Sequence, residues 1–532
     1  MASTFHSIET AKRSLFTQTA ALNTTGHNIA NANTAGYSRQ VVNMQASRPI
    51  EAYGINRSTS PGQLGTGVEF SSITRIRQTF LDREYRGEAS AQGTWDIQAD
   101  TLSKLEGILN EPSDTGLRTV MDNFWSAWSD LSKDPESVTA RKIVIERAQA
   151  LTDALNYMSR QLDNLSTDLT ANVAAKESEI LTYLSSINDL NQSILRIEGL
   201  GDNANDLRDQ RDLLTDKLSR IINVTVTEGE QGYNIAMGNT PLLQDGQISV
   251  QASPPDNPTS SFLFQGFAAG SLTGGEVHGM ILSRDQYVAD YKTMLNNLTN
   301  TMMNGRIEDV PVPAGSMLPE GVVVKKDTTV TVNGATQLVP AGTPLPANST
   351  LVTETMIDVL GINGVHQLGF TIDGTTNRGL PFFTGTDAGT IKLNPLLMDN
   401  PNLIATSLRA EGGGNSQVVV KGNGTLALLL SSLNEAKFIA ADGSKSTINS
   451  QYSAMVGELG IQAQEANRQA ENSAILVTQV DTQRQSVSGV SLDEEMSNMI
   501  KFQHAYSAAA RFMTTFDQLL DKLINSTGVV GR

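Results

Sequence analysis

The chain of 532 residues contains no cysteine. Disulfides, thiol nucleophiles and cysteine-held metals are therefore excluded. The absence suits a cytosolic chain without thiol chemistry, or one that crosses an export channel unfolded. Histidine is scarce too. His6, His27, His278, His366 and His504 are the whole set, and none stands at the ligand spacing of a zinc motif. They are expected at surfaces or interfaces. No apolar run approaches the ~20 residues that a membrane helix needs. Positive charge is in deficit, with 39 Lys and Arg against 56 Asp and Glu and a net charge of −17. That argues against nucleic acid and against an anionic membrane surface as partners. The first residues, Met1 to Phe16, lack the apolar core of a secretory signal peptide. The expected location is the cytoplasm, or a compartment reached by a route without such a peptide. There is no GxSxG elbow. The run GQLGTG at Gly62 has nucleotide-loop glycines but no clear preceding strand and no P-loop lysine, so it reads as a turn. Asp206, Asp209 and Asp212 fall along one helix face, where a solvated surface is the default. No catalytic, cofactor-binding or metal site is expected, and the chain reads as non-enzymatic.

What the sequence does have is two terminal seams. Ile8, Leu15, Leu22 and Ile29 recur one heptad apart near the N-terminus. Near the C-terminus Leu492, Met499, Phe502, Tyr506, Ala509, Met513, Phe516, Leu520 and Leu523 alternate in steps of three and four, with Glu495 breaking the stripe. Such spacing draws a narrow apolar stripe along a helix. A lone helix of this kind is marginal in water and must bury its stripe. The natural partners are the other seam, or the same seams on neighbouring copies.

Between the seams the text changes character. Residues 31–66 are polar and rich in turn formers, with a possible strand at Gln40–Met44 and glycines at Gly36, Gly54, Gly62, Gly65 and Gly67. Helix is expected from about Phe70 to Val224, broken near Pro112 and Pro135, with Ser113 and Asp134 as capping candidates. One helix there carries Phe124, Trp128 and Leu131, and a long one runs from Ser137 towards Gly199. A small antiparallel sheet follows Asn223, and a further helix spans about Val277–Met303. Residues 306–379 are β-rich, with Asn333-Gly334 as a hairpin turn. Within them VPAGSMLP at Val312 and VPAGTPLP at Val339 form a short repeat, expected to mark equivalent corners of a small β-domain. Helix returns near Thr425 and again from Asn449.

The expected fold is α+β, multidomain and elongated. Residues 1–60 and 488–532 pair as a terminal coiled coil with a glycine-rich link. Residues 61–222, 276–305 and 380–487 form a helical middle domain. Residues 223–275 form a small β domain, and 306–379 a separate outer insertion with its own core.

The turn after the first seam, TGHNIANANTAGYSRQ from Thr25 to Gln40, resembles the N-terminal motif shared by the axial proteins of the bacterial flagellum. Asn28, Asn31, Asn33, Gly36, Tyr37 and Ser38 carry the likeness. The segment from Ser488 to Ile524 is similar to the matching C-terminal motif. The ending GYSRQ, the run GQLGTGVEFSSITRIRQTFLDREYR, the helical stretches at Phe124–Leu151 and Asn205–Val226, and GEVHGMILSRD at Gly275 resemble the hook-associated, junction-forming branch. The likeness extends to about Arg306 and resumes near Leu380.

The resemblance implies a structural protein that forms a ring between hook and filament. It implies copies of itself, the hook protein and a second hook-associated junction protein as partners. It implies export through the flagellar type III apparatus, with a cytoplasmic chaperone on the C-terminal helix beforehand, and a final location outside the cell. Subunit contacts would then fall on Ile8, Leu15, Leu22, Ile29, Leu492, Met499, Phe502, Tyr506, Met513, Phe516, Leu520 and Leu523. The competing readings are an axial protein of hook type, and an adhesin whose β insertion binds glycans.

Overall fold

The computed structural model describes residues 5–50, 64–109, 116–254, 257–373, 377–411, 418–439 and 443–525. Gly54, Gly62, Pro112 and Ser113 lie outside them. Helix α1 (His6–Ala30) leads into an antiparallel pair, β1 (Gln40–Ala46) and β2 (Val68–Arg75). Helix had been expected from Phe70. Instead VEFSSITR is a strand that pairs with β1 through residue 75, with a bulge at Ser71. Helices α2 (Thr79–Leu109), α3 (Leu117–Lys133), α4 (Val138–Glu198) and α5 (Asn205–Ile221) follow. The cap of α4 is Ser137, whose hydroxyl accepts from the Ala140 amide at 3.3 Å; Asp134 ends α3 instead. Helix α4 buries Val144, Leu151, Leu155, Met158, Leu162, Leu165 and Leu169, and continues in steps of three, four or seven through Val173, Ile180, Leu184, Ile187 and Ile194. That regular stripe is why a helix of 61 residues stays unbroken.

Strands β3 (Thr225–Gly229), β4 (Gly232–Met237), β5 (Thr240–Gln244) and β6 (Gln247–Ile248) form an antiparallel meander in sequence order. Helix α6 (Phe262–Ala268) is capped by the Ser261 hydroxyl. Helix α7 (Glu276–Leu282) passes through a π-helical segment, Ser283–Val288, into α8 (Ala289–Asn304). Then come β7 (Arg306–Val312), β8 (Thr328–Val332), β9 (Ala335–Val339), β10 (Ser349–Leu351) and β11 (Thr355–Leu360). Helices α9 (Gly361–Leu368), α10 (Pro395–Asp399), α11 (Thr425–Ser432), α12 (Ile448–Ser488) and α13 (Leu492–Asn525) complete the chain. No described helix is long and apolar enough to cross a membrane.

The chain divides into two compact units. One comprises residues 1–96, 172–280 and 469–532, the other 97–171 and 281–468. The helical middle domain expected from the sequence is thus divided between them. In the first unit the end of α5 is tightly seated. A Cβ on Gly93 of α2 would lie 2.4 Å from the Arg220 carbonyl oxygen, so only glycine allows that approach.

In the second unit Phe124 and Trp128 of α3 pack on Phe382 and Phe383, with ring centroids 5.3–6.1 Å apart. His366 touches the same cluster and is fully buried, against the expectation of a surface position. Its Nδ1–H donates to the Leu380 carbonyl and its Nε2 accepts from the Ala405 amide at 2.9 Å. Arg141 is also fully buried and donates to the carbonyls of Pro135, Pro401 and Ile404 and to the Thr406 hydroxyl.

The β-rich segment of this unit follows its sequence repeat. Val312 pairs with Thr355, and its counterpart Val339 pairs with Thr328. Gly315 (φ +79°) donates to the Leu351 carbonyl, and Gly342 (φ +80°) to that of Val324, both at 2.7 Å. The hydroxyls of Thr328 and Thr355 meet at 2.6 Å, where the two copies face each other. The repeat therefore marks two equivalent, interlocked halves. The turn at Asn333-Gly334 has positive φ at both residues, as a two-residue hairpin of type I′ requires.

The expected boundary at 306–379 is crossed by this packing. Ile307 of β7 pairs with Phe438, the Met317 amide donates to Leu408, and Phe370 donates to Ser407. Leu426 closes over Gly369 so tightly that a Cβ would not fit. The segment shares its core with residues beyond 380 because its strands alone leave an apolar face open.

Candidate functional site

The motif after α1 is built around Asn28, which is 1% exposed. Its Oδ1 accepts from the Tyr37 hydroxyl at 2.7 Å and the Gln40 amide at 3.0 Å. Its Nδ2 donates to the Gln40 carbonyl at 2.9 Å and to Glu495 Oε2 at 3.1 Å. All four hydrogen-bonding positions of the amide are used. Asn31 caps α1, its own amide and its Nδ2 both donating to the His27 carbonyl. Asn33 is exposed. Gly36 has φ +80° and sits where a Cβ would come within 3.0 Å of Leu213. Burial and nearby carboxylates (Asp206, Asp209, Glu495) push the Tyr37 phenol up, so it remains a donor.

Ser38 ties this turn to α5. Its amide and hydroxyl donate to the two oxygens of Asp209, at 2.9 and 2.7 Å. Asp209 and Asp212 are 5% and 2% exposed, so the solvated helix face expected for this spacing holds only for Asp206. The reason is a set of arginines from distant segments. Arg75 binds Asp209 at 2.6 Å and Asp212 at 3.0 Å. Arg77 forms a two-pronged pair with Asp82, and Arg86 reaches Asp216 at 2.7 Å. Arg484 of α12 pairs with Asp216 and lies over the Tyr85 ring at 4.0 Å. Burial pushes the Asp212 carboxyl up, but Arg77, Arg75, the Tyr233 hydroxyl and Arg86 outweigh it and hold it at about 2. For Asp209 burial wins over Arg75 and Ser38, and its carboxyl is raised. Each of these aspartates is matched by a guanidinium, which makes the cluster a clamp.

The two seams lie on helices that pack together, α1 and α13. Ile8, Leu15, Leu22 and Ile29 are half-buried, and the fully buried side of α1 is Ala11, Thr17, Ala21, Thr24, Thr25 and Asn28. On α13, Met499, Phe502, Met513, Phe516 and Leu520 are half-buried, whereas Leu492, Tyr506 and Leu523 are exposed. Met496, Ile500, Phe512, Leu519 and Ile524 are exposed as well. A narrow stripe was expected, but α13 carries apolar side chains well beyond it. Glu495 is 2% exposed and binds Arg39 Nε at 2.7 Å. A polar cavity of about 610 Å³ lies between the motif turn and the α12–α13 link, lined by Tyr37, Arg39, Arg484, Ser488 and Glu494 among others. Among the described residues no three His, Cys, Asp or Glu side chains are grouped to hold a metal.

The sequence reading missed the clamp. The available signal was the run of Arg75, Arg77 and Arg86 together with the aspartates three and four apart at Asp209, Asp212 and Asp216.

Three family descriptions match the chain. Residues 102–305 match "Flagellar hook-associated protein FlgK helical domain". Residues 482–526 match "Flagellar basal body rod FlgEFG protein C-terminal", and residues 8–37 match "Flagella basal body rod protein". Flagellar hook-associated protein 1 of Bacillus subtilis is 35% identical over 543 residues, covering 100% of both chains. The protein of the same name from Escherichia coli is 26% identical, covering 97% of this chain and 99% of its own. A solved structure, "The structure of the flagellar hook junction protein FlgK from Burkholderia pseudomallei", matches with a TM-score of 0.50 at 16% identity. It covers 76% of this chain and 100% of that one.

Proposed function

Given that the chain belongs to the flagellar hook-associated protein 1 family, a family of flagellar structural proteins and not of enzymes, we propose that it forms a ring joining hook to filament through its terminal helices. The observation that carries this reading is the apolar surface of α13. Met496, Ile500, Phe512, Leu519 and Leu523 stay 44–58% exposed although α1 already covers part of the helix. Side chains of this kind call for further helices. In the ring, α1 and α13 pair as a coiled coil, and neighbouring copies cover the rest. The seam residues from Ile8 to Ile29 and from Leu492 to Leu523 make those contacts. The hook protein lies on one side and a second hook-associated junction protein on the other. The subunit leaves unfolded through the flagellar export apparatus, and a cytoplasmic chaperone covers α13 until then. Its final place is outside the cell at the hook–filament junction.

Phe516→Asp tests this. Phe516 is half-buried on the seam and packs tilted against Phe512, with ring centroids 4.8 Å apart. A carboxylate there loses ~1.5–3 kcal/mol of burial and adds a desolvation cost. The variant is expected to fold, by circular dichroism, and to leave cells with hooks but no filaments in electron micrographs. Normal filaments would reject the reading.

A further inference from the structure

We propose that Glu495 is a positioning residue that fixes the register of α1 against α13. Apolar side chains that recur every three or four residues offer several nearly equivalent alignments, each one turn from the next. The seam alone therefore does not select one. Glu495 interrupts the stripe yet is almost fully buried. Its two oxygens are taken by Asn28 Nδ2 and Arg39 Nε.

Both donors are themselves held. Three of the four hydrogen-bonding positions of the Asn28 amide are held by Tyr37 and Gln40, so it does not turn to follow a displaced partner. The Arg39 amide donates to the Ser488 carbonyl at 2.8 Å, and its Nη1 donates to Glu494 at 2.7 Å. A slip of one helical turn, ~5.4 Å, would set Glu495 beside Ala21, Thr24 and Thr25, the next buried side chains of α1. None of these supplies a cation. A buried carboxylate without its partners is costly, whereas the apolar contacts re-form after the slip. Only one alignment satisfies both.

This deepens the reading that the terminal helices act as a pair, and its test uses the isolated full chain, so it stands apart from ring formation. The cysteine-free sequence allows clean labelling. Asn23→Cys on α1 and Arg511→Cys on α13, both exposed positions and set well apart along the helix pair, carry nitroxide labels. Pulsed electron paramagnetic resonance on dilute protein is expected to give one narrow distance. Glu495→Leu, which completes the apolar stripe, should keep the helix content and add a second population displaced by about one turn, ~5 Å. Glu495→Gln, which keeps an acceptor for Arg39, should restore most of the single population. If Glu495→Leu loses helix content, Glu495→Gln decides alone, by showing a smaller second population. A wild-type distribution in Glu495→Leu, or in Glu495→Gln where that variant decides alone, or a broad one in the unaltered chain, overturns the proposal. A chain with one sharp distance that still builds no junction rejects the ring reading alone.

Discussion

The two units bury charge in opposite ways. In the first, Arg75, Arg77, Arg86 and Arg484 meet Asp82, Asp209, Asp212 and Asp216. In the second, Arg141 and His366 are buried, and their described hydrogen-bond partners are backbone groups and one hydroxyl. A charge–charge clamp joins segments far apart in the chain, and losing one member leaves the others stranded. Backbone-held groups instead read the local path of the chain, and their burial is tolerated only in one protonation state. Burial lowers Arg141 to about 10, yet it stays a cation at neutral pH. Burial lowers His366 to about 4, and the Arg141 charge adds to that, so it stays neutral.

The largest effect should follow from breaking the clamp. Asp212→Ala removes the carboxylate shared by Arg75, Arg77 and Arg86. The expected loss is ~3–5 kcal/mol, confined to the first unit. Hydrogen exchange should show faster opening of α5 and β2, with α3 and α9 unchanged. Equal loosening of both units would erase the contrast.

Acid should separate the units by the order in which they weaken. His366 goes from an unfolded value of 6.5 to about 4 when folded. Between those values the unfolded chain binds a proton that the folded chain refuses. Stability therefore falls as pH drops from 6.5 towards 4, by up to about 3 kcal/mol. Asp212 is depressed from 3.8 to about 2. Its contribution is present above 3.8 and is lost only as pH falls below that. The second unit should weaken first. Trp125 and Trp128 report it alone once Trp95, in the first unit, is replaced by Phe. In that background His366→Gln should flatten the dependence between pH 6.5 and 4, measured by urea denaturation followed through tryptophan fluorescence. An unchanged slope would assign the acid response elsewhere.

The smallest effect compares two glycines of nearly equal backbone angle. Gly334 (φ +83°) has nothing within 4 Å of an added Cβ, so Gly334→Ala should cost only the left-handed penalty, ~1–2 kcal/mol. Gly36 (φ +80°) faces Leu213 at 3.0 Å. Gly36→Ala should cost measurably more in the melting of the first unit. Equal costs would mean that Leu213 gives way freely.

Local regularities were legible in the sequence. The stripe of α4, the hairpin at Asn333-Gly334, the paired corners at Val312 and Val339 and the apolar seams on α1 and α13 all repeat within a few turns or strands, and short-range periodicity is what a sequence displays. The candidate site was legible only as a motif. Asn28, Gly36, Tyr37 and Ser38 stood out by resemblance, while their partners did not. Asn28 meets Glu495 across 467 positions and Ser38 meets Asp209 across 171. Tertiary structure alone decided that Asp209 and Asp212 are buried, that Glu495 is buried within the seam on Asn28 and Arg39, and that β7 takes Phe438 as a neighbour. A charged residue looks solvated in sequence because its own cost of burial is local. The partner that offsets that cost lies elsewhere in the chain, and only folding brings the two together.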